Sequence, residues 1–163
     1  MRCRLVGSEM CIRDRFAAAA AGGAILAGAP QSQIDRFYQY GLHLGTAFQL
    51  IDDTLDYEGD PEIMGKNIGD DLAEGKPTLP LIYAMRSTPA QQSTLIRNAI
   101  ANKSQDNISA VAEIVKNCSA LTYTKEIALN LSLEATQTLT ELPDSPHKQA
   151  LQQLAQLSAN RSA

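Results

Sequence analysis

Residues 32–57 read SQIDRFYQYGLHLGTAFQLIDDTLDY, and the spacing of their apolar members decides the fold class. Ile34, Phe37, Gly41, Leu44, Phe48, Ile51 and Leu55 recur in alternating steps of three and four, the period of one helix face. Ser32 with Asp35 makes a capping-box-like start after Pro30, and Gly59-Asp60-Pro61 makes a stop. The helix so delimited has about 25 residues and a length of roughly 37 Å, which implies a large helical domain. Working outward, no stretch alternates with period two, while helical spacing recurs almost throughout, so the chain reads as all-α.

The C-terminal end of this helix is acidic. Asp52 and Asp56 repel at i,i+4, and with Asp53 they sit where the helix macrodipole already places negative charge. Such a cluster calls for compensation, and a hard divalent cation such as Mg2+, which takes oxygen ligands and is shared with substrate phosphates, suits it. A solvated acidic helix end is the plain alternative. A second stripe, Tyr38, Leu42, Gly45, Gln49, Asp52, Asp56, starts apolar and ends acidic. It would line a cavity with a greasy floor and a metal at its mouth, or else Gly45 simply lets another helix approach.

The whole chain bounds the possibilities further. Its 163 residues, 44% hydrophobic and 20% charged, are ordinary for one globular domain with a real core. Of 18 carboxylates, Asp35, Asp52, Asp53, Asp56, Glu58, Asp60, Glu62, Asp70, Asp71 and Glu74 fall in one region, opposed only by Arg36, Lys66 and Lys76. That excess repels nucleic acid and anionic membrane and concentrates cations. Cys3, Cys11 and Cys118 lack the spacing of a zinc site or a disulfide framework, which fits a reducing, cytoplasmic setting. His43 and His147 are isolated and read as surface or packing residues. Residues 16–29, with five consecutive alanines behind Arg2, Arg4, Arg13 and Arg15, superficially resemble a signal peptide. They are too short to span a bilayer, however, and Ala-rich enough for a tightly packed helix. Residues 1–15 have no clear periodicity and read as foreign to the rest of the chain.

Beyond the acidic helix, residues 58–76 read as a loop with one short helical turn, and helical patterning resumes at Pro77. Thr88-Pro89-Ala90-Gln91 predicts a capped helix start, Asp106 a cap for the next helix, and Pro143 the end of the long one carrying Leu121, Ala128, Leu131, Ala135, Leu139 and Leu142. Ser145-Pro146 opens a last helix with Leu151, Leu154 and Leu157 on one side, an expected core or subunit contact. The loop Gly65-Lys66-Asn67-Ile68-Gly69-Asp70-Asp71-Leu72-Ala73-Glu74-Gly75-Lys76-Pro77-Thr78 holds two lysines suited to phosphate oxygens. It is no P-loop: five residues separate Gly69 from Gly75, Pro77 replaces the hydroxyl residue, and no strand precedes it. Asp52 to Asp56 lacks the alternating ligands and central Gly of an EF-hand.

These two blocks resemble the trans-isoprenyl diphosphate synthases, especially the bacterial long-chain polyprenyl synthases of octaprenyl type. Residues 45–57 look like the family's second aspartate-rich motif with its preceding Phe-Gln. Residues 65–80, with Gly-Lys-Pro-Thr-Leu-Pro, look like its next block, and the similarity runs weakly through the C-terminal helices.

The resemblance implies an isoprenoid synthase-type helical bundle truncated at its N-terminus. Residues 1–15 would be a non-native leader and 16–163 the C-terminal half, the first aspartate-rich motif being absent. It implies a prenyltransferase that joins an allylic diphosphate to isopentenyl diphosphate, giving a long-chain polyprenyl diphosphate for quinone side chains. Asp52, Asp56 and Asp53 would hold Mg2+, with Asp70 and Asp71 supporting metal-bound water. Lys66 and Lys76 would contact the diphosphate, Gln49 would act in the reaction cavity, and Phe48 and Gly45 would line it. The parent is expected to be a homodimer in the cytoplasm without stable membrane insertion, and this chain alone is expected to be inactive. The alternatives are a non-catalytic helical partner of a prenyl synthase subunit, or an acidic metal-binding scaffold.

Overall fold

The computed structural model describes residues 9–58, 69–103 and 106–161. Lys66 therefore lies outside the described residues, as do residues 59–68 as a whole. Among those described, eight helices and no strand occur: α1 (Glu9–Leu26), α2 (Gln31–Glu58), α3 (Asp70–Ala73), α4 (Leu79–Ser87), α5 (Ala90–Asn102), α6 (Ile108–Asn117), α7 (Ala120–Thr138) and α8 (Pro146–Ala159). The all-α expectation holds. The chain divides into two compact units, with divisions after Gln49 in α2 and after Glu126 in α7.

The first unit comprises α1, the N-terminal part of α2, the C-terminal part of α7, and α8. The alanine run forms α1, where Ala17, Ala21 and Ala24 are buried one turn apart. Gly28 ends it in the left-handed region at φ 68. Its N–H bonds to Ile25 O at 3.0 Å and that of Ala29 to Ala24 O at 3.0 Å, the paired bonds that satisfy a helix's last carbonyls. Helix α1 crosses α2 at two glycines one turn apart. A Cβ on Gly41 would sit 2.4 Å from Phe16 O, and one on Gly45 3.0 Å from Arg13 Cα. Gly45 therefore permits this close helix contact. Residues 9–15, the later part of the segment read as foreign, form the first turns of α1, and the Arg13 backbone packs against Gly45.

The core of this unit is Tyr40, Leu44, Ala135, Leu139 and Ala155, with Phe16, Phe37 and Leu151 packed against it. Polar groups inside it are spent on backbone: Tyr40 donates to Leu151 O at 2.8 Å and Ser132 Oγ to Ala155 O at 2.6 Å. Burial pushes the Tyr40 hydroxyl up to a pKa of about 12. On α8 Ala155 and Ser158 are buried and Leu151 packs against the core, whereas Leu154 and Leu157 are exposed, so of the leucines expected at a core or subunit contact only Leu151 meets this core. Ser145 caps α8 as its sequence predicts, accepting from Lys148 N at 3.2 Å. Helix α7 ends at Thr138, before Pro143 can end it.

The second unit packs α3, α4, α5 and α6 with the end of α2 and the start of α7. Its core holds Tyr57, Leu72, Leu81, Ile96, Val111 and Val115. Two cap expectations fail here. Thr88 Oγ1 donates to Ala84 O at 2.7 Å, tying off the end of α4, and Pro89 occupies the N-cap of α5 without a side-chain bond. Asn107, not Asp106, stands at the N-cap of α6. No helix among the described residues is long and apolar enough to cross a membrane.

Candidate functional site

The second unit brings the end of α2 against the turn that carries α3. Gly69 adopts φ 82, and its N–H bonds to Asp56 O at 3.1 Å, delivering the chain to α3 directly beside the acidic helix end. The Asp56 carboxylate then accepts two backbone N–H groups, from Asp70 at 3.2 Å and from Asp71 at 3.3 Å, one on each oxygen. These are the orphan donors at the start of a helix, which attract a negative group. Sequence spacing placed Asp56 near a helix end and gave no sign that it would hold the start of another.

The far end of α3 positions a cation. Gly75, at φ 75, bonds to Leu72 O at 2.9 Å, and Lys76 N bonds to Asp71 O at 2.9 Å, the bond pair that lets a glycine reverse the chain after a helix. Lys76 Nζ is thereby brought to 2.9 Å from Asp71 and 2.8 Å from Glu74. Burial pulls the Lys76 pKa down, but the hydrogen bonds and charges of Glu74 and Asp71 outweigh it, and the net shift is upward. The lysine is a permanent cation at the acidic cluster.

Burial sorts the three carboxylates of the α2 terminus. Asp52 and Asp56 are half-buried, while Asp53 is 5% exposed and turns toward the interior beside buried Thr54. Burial, then the charge of Asp71, pushes Asp56 up to about 6 against the lowering effect of its two N–H bonds. Its anion is thus under-compensated in the protein alone. Among the described residues no three His, Cys, Asp or Glu side chains converge on a cation position. The donor set fits a cation that takes one or two carboxylates and completes its oxygen shell from water and substrate phosphates, as Mg2+ does, and does not make an all-protein cage.

In the first unit, Gln49 is half-buried on α2, and the Phe48 ring is already engaged. Phe16 lies 5.6 Å from it, centroid to centroid, and the Arg161 guanidinium sits 3.9 Å over its face. Arg161, two residues from the last position of the sequence, carried no signal in the sequence. Lys66, the other expected diphosphate contact, falls among residues 59–68.

Comparison with known proteins sets this geometry in context. The polyprenyl synthetase family pattern matches residues 14–118. The chain is 46% identical over 146 residues to the all-trans-nonaprenyl-diphosphate synthase (geranyl-diphosphate specific) of Rhodobacter capsulatus, covering 90% of this chain and 45% of that one. It is 45% identical over 148 residues to the octaprenyl diphosphate synthase of Haemophilus influenzae, with the same coverage. The polyprenyl synthase of Caulobacter crescentus, solved in complex with calcium and isoprenyl diphosphate, superposes with a TM-score of 0.85 at 34% identity, over 95% of this chain and 49% of that one. The chain thus spans about half the length of the relatives it matches.

Proposed function

Because the chain belongs to the polyprenyl synthetase family, we propose that it carries one of two acidic faces of a prenyltransferase that elongates an allylic diphosphate with isopentenyl diphosphate. The observation that carries this reading is the joining of the α2 acidic terminus to the Asp70–Lys76 turn through Asp56. It sets carboxylates and a cation side by side, a combination suited to a metal-bound diphosphate. The relatives that make nonaprenyl and octaprenyl diphosphates support a long-chain product, a precursor of quinone side chains. The calcium and isoprenyl diphosphate in the Caulobacter structure support the ligand class.

Mg2+, when bound, supplies charge to the departing diphosphate oxygens and lowers the cost of breaking the allylic C–O bond. In this reading Asp52 and Asp56 hold it, and Asp53 supports them from the buried side. Asp70 and Asp71 accept hydrogen bonds from water at the cluster. Lys76, already drawn to Asp71, turns an ammonium toward the diphosphate, and Lys66 adds a second. Gln49 lines the cavity in which the double bond of isopentenyl diphosphate attacks the allylic carbon as diphosphate leaves. We place the assembled enzyme in the cytoplasm as a homodimer.

With one acidic face, the 163-residue chain alone is expected to form no polyprenyl product from allylic and isopentenyl diphosphates with Mg2+. Paired with the N-terminal half of a related synthase, it is expected to do so. Sustained, metal-dependent turnover by the isolated chain would contradict the two-face reading.

A further inference from the structure

Helix α5 ends at Asn102, and Lys103 closes it in the left-handed region at φ 49 and ψ 41. Among the described residues other than glycine, only Lys103 and Ser119 take a positive φ. A Cβ is crowded by the following carbonyl there, so glycine is the ordinary residue for such a helix end and a lysine is strained. What the lysine brings is its side chain. Helix α3 packs on α5, and Gly75, which reverses the chain after α3, lies against the end of α5. A Cβ added to Gly75 would meet Lys103 Cγ at 3.0 Å, Lys103 Cε at 3.2 Å and Ile100 O at 3.0 Å. The Lys103 stem therefore runs along the bare side of Gly75. Lysine covers surface in this way with its methylenes while its ammonium stays in water, and Lys103 is exposed.

The turn so covered is the one that presents Lys76. Gly75 N bonds to Leu72 O and Lys76 N to Asp71 O, both at 2.9 Å, and Lys76 Nζ reaches Asp71 and Glu74. Those bonds stay within residues 71–76, and α3 itself is only four residues long. A helix that short has little stiffness of its own, and what it packs against decides where it stands. Asp56 holds its start, and buried Leu72 fixes its middle. At its far end the Ile100 carbonyl and the Lys103 stem add a contact with a 13-residue helix. We propose that Lys103 is a positioning residue, whose aliphatic stem, laid across Gly75 from a strained helix cap, seats the turn that carries Lys76. The functional meaning of this seat rests on the reading of Lys76 given above; the contact itself does not.

Amide hydrogen exchange beside urea unfolding of the 163-residue chain tests it, comparing wild type with Lys103→Gly, Lys103→Ala and Lys103→Met. Lys103→Gly removes the stem and relieves the backbone at once, so the two measurements should part. Its urea midpoint should hold or rise, while the amides of Gly75 and Lys76, which bond to Leu72 O and Asp71 O, should exchange on the order of fivefold faster. Lys103→Ala keeps the strain and loses the stem, so its midpoint should not rise and the same two amides should again exchange faster. Lys103→Met keeps the methylenes without the charge and should restore protection close to that of wild type. A residue that merely ends α5 predicts a gain in stability for Lys103→Gly with no loss of protection at the turn. Exchange at Gly75 and Lys76 that is unchanged in Lys103→Gly, or as fast in Lys103→Met as in Lys103→Ala, would overturn the proposal. Lys103→Gly relieves strain, so it remains informative if Lys103→Ala fails to fold. The readout involves no ligand, so failure of the prenyltransferase reading would leave it standing.

Discussion

Replacing Asp52 by alanine, in an assembly that carries both halves of the synthase, is expected to cut turnover by on the order of 10²–10³-fold while the fold survives. The expected effects are asymmetric. Asp52 lies one helical turn before Asp56, near the negative end of the α2 dipole, so its removal relieves repulsion in the metal-free protein. The melting temperature without ligand should stay the same or rise slightly. The departing diphosphate, by contrast, loses part of the charge that stabilises it, and the rise in melting temperature on adding Mg2+ and diphosphate should shrink. A structural carboxylate would give the opposite pattern of lost stability and retained turnover. Steady-state rates beside thermal melts separate the two, and near-normal turnover would count against the assignment.

The largest stability effect is expected at Gly41. An added Cβ would meet Phe16 O at 2.4 Å, Phe16 C at 2.7 Å and Ala17 Cα at 2.6 Å, all backbone atoms of α1 that cannot rotate away. Gly41→Ala must therefore push the two helices apart, at a cost of roughly 2–3 kcal/mol. That outweighs the ~1 kcal/mol that alanine gains over glycine inside a helix. Gly22, in α1, provides the control, since nothing lies within 4 Å of its added Cβ. Gly22→Ala should stabilise by about 0.5–1 kcal/mol. Urea unfolding of the two variants should give midpoints that move in opposite directions, and a neutral Gly41→Ala would refute the close crossing.

The contrast between these glycines marks what a sequence reveals. The three-and-four spacing through residues 34–55 was enough for α2 and for the all-α class, because burying one face of a helix forces that period whatever packs against it. The phase of the stripe was harder. Tyr40, Ala47 and Tyr57 are buried on α2 beside Leu44 and Ile51, while half-buried Phe37, Phe48 and Leu55 belong to its margins. A tyrosine that buries its ring and spends its hydroxyl on a distant carbonyl, as Tyr40 does on Leu151 O, is apolar or polar according to a partner 111 residues away. On α8, too, the buried Ala155 and Ser158 are set by a partner far along the chain, since Ser132 of α7 reaches the Ala155 carbonyl there.

At the site, the DDxxD spacing identified the carboxylates but could not distinguish them. Asp53 is buried, and Asp56 accepts two N–H groups because of where α3 begins, which depends on the left-handed turn at Gly69. Gly75 before Lys76 was the one local signal for the lysine's placement, since a glycine just past a short helix is the residue that reverses the chain. Thr88 failed as a cap for a related reason: a hydroxyl before a helix has several carbonyls and N–H groups in reach, and here the Ala84 carbonyl takes it.

Calorimetric titration of inorganic pyrophosphate into the 163-residue chain, with and without Mg2+, is the sharpest test of the site, because it asks only whether the acidic end of α2 and its neighbouring lysine bind a metal diphosphate. Binding should require Mg2+ and be weakened at least about tenfold, or about 1.4 kcal/mol, by Asp52→Ala. Absence of binding in the presence of Mg2+, binding indifferent to the metal, or equal affinity in the variant would contradict the assignment.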